Sequence, residues 1–171
     1  MDFETLKQIT NEAEQVNKTY EIFNEDTRLS RSKGAQVEFL TTVRYIEKYL
    51  KPGNKVLDIG AGAGAYSLYF AQKGYEVCSV ELADNNIAAF RKKLTPELKI
   101  DLRQGNALDL SEYADESFDV VLLLGPLYHL HSEADRQQAI ANARRVCKKD
   151  GVIFMAFINN DAVVITEACY D

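Results

Sequence analysis

Between positions 3 and 23 the apolar residues Phe3, Leu6, Ile9, Ala13, Val16, Tyr20 and Phe23 recur at steps of three and four, the spacing that lines one face of a helix. A polar stretch over 24–34 carries Arg28, Arg31 and Lys33. Val37, Leu40, Val43 and Ile46 then restore helical spacing until Lys51-Pro52-Gly53 stops it. These two stretches predict an N-terminal helical arm over 1–50. From Lys55 the pattern becomes a strand, Val56-Leu57-Asp58-Ile59, which breaks into Gly60, Gly62 and Gly64 and resumes as a helix stopped at Gly74. A second strand is predicted at 75–81, then a helix capped by Asp84 and running to about Leu94, and a third strand at 99–104. Residues 117–124 are apolar on both faces, as a central parallel strand is. Ser132, with Asp135 three residues on, predicts a helix start. That helix should run to about Lys148 and close at Asp150-Gly151, before a fifth strand at 152–158. The alternation predicts an α/β fold, a doubly wound and mainly parallel five-stranded sheet with flanking helices, over 51–158. Residues 159–171 remain as a tail.

Composition narrows the function classes. At 171 residues the chain fits one domain, and 46% hydrophobic with 27% charged residues is ordinary for a globular protein. A net charge of −6 and a pI near 5.0, with no dense Lys/Arg cluster, argue against nucleic acid as a partner. No apolar run is long enough to span a membrane, and the amino terminus has no apolar signal core, so a cytoplasmic location is expected. Cys78, Cys147 and Cys169 lack metal-ligand or CxxC spacing and read as reduced structural thiols.

In an open parallel sheet a ligand sits beyond the carboxyl ends of the strands, where strand order reverses. Those ends are Gly60 to Gly64, Glu81-Leu82, Gly105-Asn106-Ala107 and Leu124-Gly125-Pro126. Glu81, about twenty residues past the glycines, is placed to accept both hydroxyls of a ribose. Gly60, Gly62 and Ala65 fit a dinucleotide turn and keep an NAD-dependent oxidoreductase open as an alternative. Asp58 separates the readings, because a carboxylate two residues before the first glycine suits a cationic ligand better than a pyrophosphate. Packing of helix on strand alone would also use glycines, but leaves Asp58 and Glu81 unexplained.

Val56-Leu57-Asp58-Ile59-Gly60-Ala61-Gly62-Ala63-Gly64 resembles motif I of the class I S-adenosylmethionine-dependent methyltransferases. Val80-Glu81-Leu82 is similar to their acidic second motif, Gln104-Gly105-Asn106-Ala107 to the third, and Phe118-Asp119-Val120-Val121 onward to Leu130 to the fourth strand and its loop. The resemblance implies a Rossmann-like methyltransferase fold, apparently without its last two strands, that binds S-adenosylmethionine and methylates a small-molecule acceptor. Gly60, Ala61 and Gly62 would run past the methionine end, with Asp58 fixing the loop and the amino group. Glu81 would hold the ribose and Leu82 would pack on adenine. Asn106, where the family more often has Asp, would bond the adenine edge through its amide oxygen beside the Ala107 backbone, and Leu124 and Gly125 would line the pocket near the sulfonium.

A base is not required for every acceptor, but Tyr128 and His129 are the nearest candidates. His129 and His131 otherwise read as a packed or solvated loop pair, with no metal site expected around them. Tyr66, Tyr69 and Phe70 read as core. Tyr20, Arg28 and Arg31 reach the cofactor carboxylate only if the arm folds over the pocket as a lid. The apolar fifth strand is a poor sheet edge and points to a homodimer or to a fragment of a longer chain. A non-catalytic cofactor-binding module is the reading from a different class.

Overall fold

The computed structural model describes Leu6 and residues 8–159. Its helices are α1 (Glu12–Ile22), α2 (Lys33–Glu47), α3 (Ala65–Gln72), α4 (Asp84–Arg91) and α5 (Glu133–Val146), with 3-10 turns at Glu25–Thr27 and Pro126–Tyr128. The strands are β1 (Lys55–Ile59), β2 (Glu76–Glu81), β3 (Ile100–Gln104), β4 (Phe118–Leu123) and β5 (Cys147–Met155). They form one sheet in the order β3-β2-β1-β4-β5, every neighbouring pair parallel. The doubly wound α/β architecture expected from the alternation is therefore present, with its switch point between β1 and β4.

The central strands divide the core. Leu57, Ile59, Val121 and Leu123 face α5 with Ala139, Ala143 and Val146. Val56, Val120 and Leu122 face the other way, against Val43 and Ile46 of α2 and Tyr66 and Phe70 of α3. Strands buried on both faces are the mark of a sheet covered by helices on both sides.

Several boundaries differ from expectation for local reasons. The first helix does not run from Phe3 to Phe23. Asn11 caps α1, its side-chain oxygen accepting from Glu14 N–H at 3.0 Å, while residues 1–5 and 7 lie outside the described part. Asp84 is not a cap but the first residue of α4, whose N-cap is Ala83, and the helix ends at Arg91 rather than Leu94. α5 stops at Val146, where Cys147 turns extended and starts β5. The fifth strand is thus 147–155, not 152–158. Phe118 pairs with Cys147 and Val120 with Val152, so four residues bulge out between the two pairings. Gly151 sits in that bulge, and a Cβ there would fall 2.7 Å from Cys147 Sγ and 2.8 Å from Asp119 O. It is glycine for want of space and not to stop a helix.

Candidate functional site

Two cavities adjoin over the carboxyl edge of the sheet. One, of about 510 Å³, is lined by Glu81, Leu82, Asn106, Ala107 and Leu130. The other, of about 400 Å³, is lined by Asp58, Ala61, Gly62, Arg28, Tyr66, Leu124 and Tyr128. Gly60, Gly125, Tyr20 and His129 line both and so mark the junction. All ten core residues expected at the cofactor site lie on one or the other cavity, as do Tyr20, Arg28 and both candidate bases. Arg31 does not: it is exposed and lines neither. Tyr66, expected as core alone, is buried and also walls the second cavity.

The glycine loop is packed as well as open. A Cβ on Gly60 would lie 2.6 Å from Pro126 Cγ, on Gly62 3.0 Å from Glu25 Cγ, and on Gly64 2.4 Å from the Phe90 ring, all three residues having positive φ. Each glycine therefore admits a neighbouring element, and the loop is clamped by β4's following turn, by the arm and by α4.

Glu81 is 4% exposed. Its Oε1 accepts from the N–H groups of Leu82 (2.9 Å) and Ala83 (2.8 Å) and more distantly from Asn86 Nδ2 (3.4 Å), while Oε2 accepts from Gly62 N–H at 2.7 Å. A carboxylate has about four acceptor positions. Oε1 is saturated here, so the expected grip on both ribose hydroxyls is not available in this arrangement, and only Oε2 retains an open lone pair. Burial raises the Glu81 pKa, opposed by these same N–H bonds.

Asp58 is buried at the floor of the second cavity and tied into the fold. Ser79 Oγ donates to Ser67 Oγ at 2.9 Å, and Ser67 Oγ donates to Asp58 Oδ2 at 2.6 Å, which ties β2 and β1 to the first turn of α3. Burial pushes the Asp58 pKa up to about 6 against the pull of the Ser67 hydroxyl. The folded state thus holds this proton more tightly than the unfolded chain does. Its stabilising contribution is full below about pH 4 and is lost as pH rises through 6. The stability of wild type minus that of Asp58→Asn should fall by about 2 kcal/mol from pH 4 to 7. Denaturant melts across that range check it, and a flat difference would contradict the shift.

Asn106 Oδ1 accepts from Leu108 N–H at 3.0 Å, which fixes the amide and leaves one lone pair of Oδ1 and the Nδ2 group to a ligand. Asn142 of α5 donates from Nδ2 to Ala107 O at 3.0 Å and fixes that turn.

The arm closes over both cavities through polar contacts. Tyr20 Oη lies 3.1 Å from His129 Nε2 with the rings edge to face. His131 N–H donates to Glu12 Oε1 at 2.7 Å, and its Nε2 meets Gln15 Oε1 at 2.8 Å. On the other side Asp84 N–H donates to Asn17 Oδ1 (3.0 Å), Asn85 Nδ2 to Tyr20 O (3.2 Å), and Lys93 bridges Asp26 and Ala63 O. Val16 is the one buried residue of α1. The spacing of the arm's apolar residues predicted its helices; its contacts with histidines more than a hundred positions away left no mark in any local pattern.

Residues 57–155 match a family model described as a methyltransferase domain. Among curated proteins the chain is similar to the ubiquinone biosynthesis O-methyltransferase of Stutzerimonas stutzeri, 33% identical over 121 residues, covering 70% of this chain and 51% of that protein. Among solved structures it is similar to the PH0226 protein of Pyrococcus horikoshii (27% identity, TM-score 0.69, 81% of this chain and 64% of that one). A SAM-dependent methyltransferase of Methanosarcina mazei is also similar (26%, TM-score 0.63, 74% and 63%). The chain spans about half the length of the curated relatives it matches. On the family match across more than half its length, the chain belongs to the methyltransferase domain family.

Proposed function

We propose that this domain binds S-adenosylmethionine across the two cavities and transfers its methyl group to a hydroxyl of a small acceptor. The observation that carries the reading is the junction: Gly60, Gly125, Tyr20 and His129 are shared by a cavity built around Glu81 and a cavity built around Asp58 and the glycine loop. The nucleoside end lies in the first, with Glu81 Oε2 taking a ribose hydroxyl, Leu82 against the base and Asn106 Nδ2 donating to a ring nitrogen. The amino-acid end runs along Gly60, Ala61 and Gly62 in the second, towards Arg28. When bound, the cofactor supplies a methyl group already activated on a sulfonium, so the protein's work is alignment and exclusion of water.

Oxygen as acceptor atom is supported by relatives named as O-methyltransferases. Its proton goes to His129, which burial, helped by His131, holds below the usual histidine pKa and therefore neutral near pH 7. Tyr128 is a poorer base, since burial raises its pKa and keeps the phenol protonated. The described part of the 1–50 arm acts as a lid over the 51–158 core. Nothing in the site favours the oxidoreductase reading: Asp58 lies beside the glycine loop, where a pyrophosphate would have to sit. Isothermal titration with S-adenosylhomocysteine, followed by transfer of labelled methyl to a panel of catechols and phenols, tests the assignment. Binding of NADH with no response to S-adenosylhomocysteine would overturn it.

No helix among the described residues is long and apolar enough to cross a membrane, and with Cys78 and Cys147 both free thiols a reducing cytoplasm suits the chain. β5 forms an edge of the described sheet with apolar Val152, Ile153 and Phe154 along it. Such an edge favours pairing with a second copy. Sedimentation equilibrium should give a mass that rises with concentration, and a constant monomer mass would count against the dimer.

A further inference from the structure

Both histidines of the chain are held by α1. His131 is exposed and rests on Glu12 and Gln15. His129 is half-buried where the two cavities meet, and its Nε2 lies 3.1 Å from the Oη of Tyr20, which also lines both cavities. Each partner is fixed from behind. His129 N–H donates to Pro126 O at 2.9 Å in the turn after β4, and Tyr20 O accepts from Asn85 Nδ2 at 3.2 Å.

Chemistry places the hydrogen of the Tyr20–His129 bond on the phenol. A neutral imidazole has one nitrogen lone pair, and of these two groups the phenol is the stronger acid and the imidazole nitrogen the stronger base. Burial raises the Tyr20 pKa, with Glu25 and Glu81 adding to the rise and Arg28 opposing it. Burial lowers the pKa of His129, so both groups are neutral near pH 7. Nε2 is then occupied and Nδ1 carries hydrogen, which leaves an acceptor hydroxyl no free lone pair on His129. The phenol oxygen can still accept. We propose that Tyr20 is a catalytic residue that relays the acceptor's proton to His129: the acceptor O–H gives its proton to Tyr20 Oη as the Tyr20 O–H gives its own to His129 Nε2. In the same step the acceptor oxygen forms the O–CH3 bond, the CH3–S bond breaks, and its electron pair stays on sulfur. Tyr20 ends neutral, and the imidazolium returns its proton to water. Because Tyr20 belongs to α1, the proton path is complete only with the arm docked. The inference rests on methyl transfer to a hydroxyl and supplies that transfer with its proton route.

Two acceptors separate a relay from a contact that only seats the arm. At about pH 8 catechol keeps its proton, while nitrocatechol is already ionised and has none to hand over. In single-turnover transfer from labelled S-adenosylmethionine, Tyr20→Phe should slow catechol about thirtyfold more than nitrocatechol, in keeping with the usual share of positioned proton transfer. His129→Asn should show the same selective loss, and the double variant should be no slower on catechol than either single variant, as for residues that act as a unit. Binding of S-adenosylhomocysteine by each variant in calorimetry shows that it is folded with a formed site. Equal slowing of both acceptors by Tyr20→Phe overturns the relay. So does a catechol loss in His129→Asn that Tyr20→Phe does not share, which would mean that the proton passes straight to the imidazole. Wild type that binds S-adenosylhomocysteine but methylates neither acceptor overturns the hydroxyl acceptor and the relay together, whereas wild type that does not bind it overturns the cofactor reading itself.

Discussion

Glu81→Ala is expected to abolish measurable binding of S-adenosylhomocysteine and to lower the melting temperature by on the order of 5–10 °C. A strand-end carboxylate that only meets a ribose would be lost without harm to the fold, and the sequence reads that way. In the structure Oε1 and Oε2 together accept three backbone N–H bonds, from Leu82, Ala83 and Gly62, and one from the Asn86 amide. Removing the acceptor leaves these donors buried, at about 1–3 kcal/mol for the first of them and less where water enters, and a chain of this size loses about 2–4 °C per kcal/mol. The Gly62 bond also sets the glycine loop against β2, so the second cavity deforms with the first. Thermal melts and calorimetry on the same preparation check both halves. A variant that melts like wild type while failing to bind would return Glu81 to a purely ligand-facing role.

Gly64→Ala is expected to destabilise the domain by about 2–4 kcal/mol, whereas Gly74→Ala should cost only about 1–2 kcal/mol. Both glycines have positive φ, +83° and +93°, so both alanines meet the same left-handed backbone penalty. At Gly74 nothing lies within 4 Å of the added Cβ, but at Gly64 it would fall 2.4 Å from the ring of Phe90, which is fully buried and cannot swing away. The difference between the two variants in urea unfolding therefore isolates the packing of α4 on the glycine loop. Equal losses would show that Phe90 yields freely.

The sheet was legible because its signal is local and periodic. Val56, Leu57 and Ile59, or Val120 to Leu123, announce strands buried on both faces, and the alternation with helices leaves few topologies to choose from. The errors fall where contacts distant in sequence override that signal. Lys148, Lys149 and Asp150 read as the end of a helix, yet the register of β5 on Phe118 and Val120 makes them a bulge in a strand. The glycine loop read as room for a ligand, and the structure shows each glycine also making room for protein. Asn106 reads as an adenine contact by its oxygen, and the turn to Leu108 takes one of that atom's two acceptor positions. Arg28 reaches the second cavity and Arg31 does not, a distinction set by the 3-10 turn at Glu25–Thr27, which no periodicity revealed.

The arm also finishes a helix that is not its own. The N-cap of α4 is Ala83, which has no side chain able to cap it, and the acceptor for the Asp84 N–H comes from Asn17 on α1. Lifting α1 therefore uncaps α4, and the turn that frays is the one that follows Glu81 and Leu82 on the wall of the first cavity. On the proposed function, entry and grip would be coupled through this borrowed cap, since an arm docked on the helix start steadies the wall that carries Glu81 and Leu82.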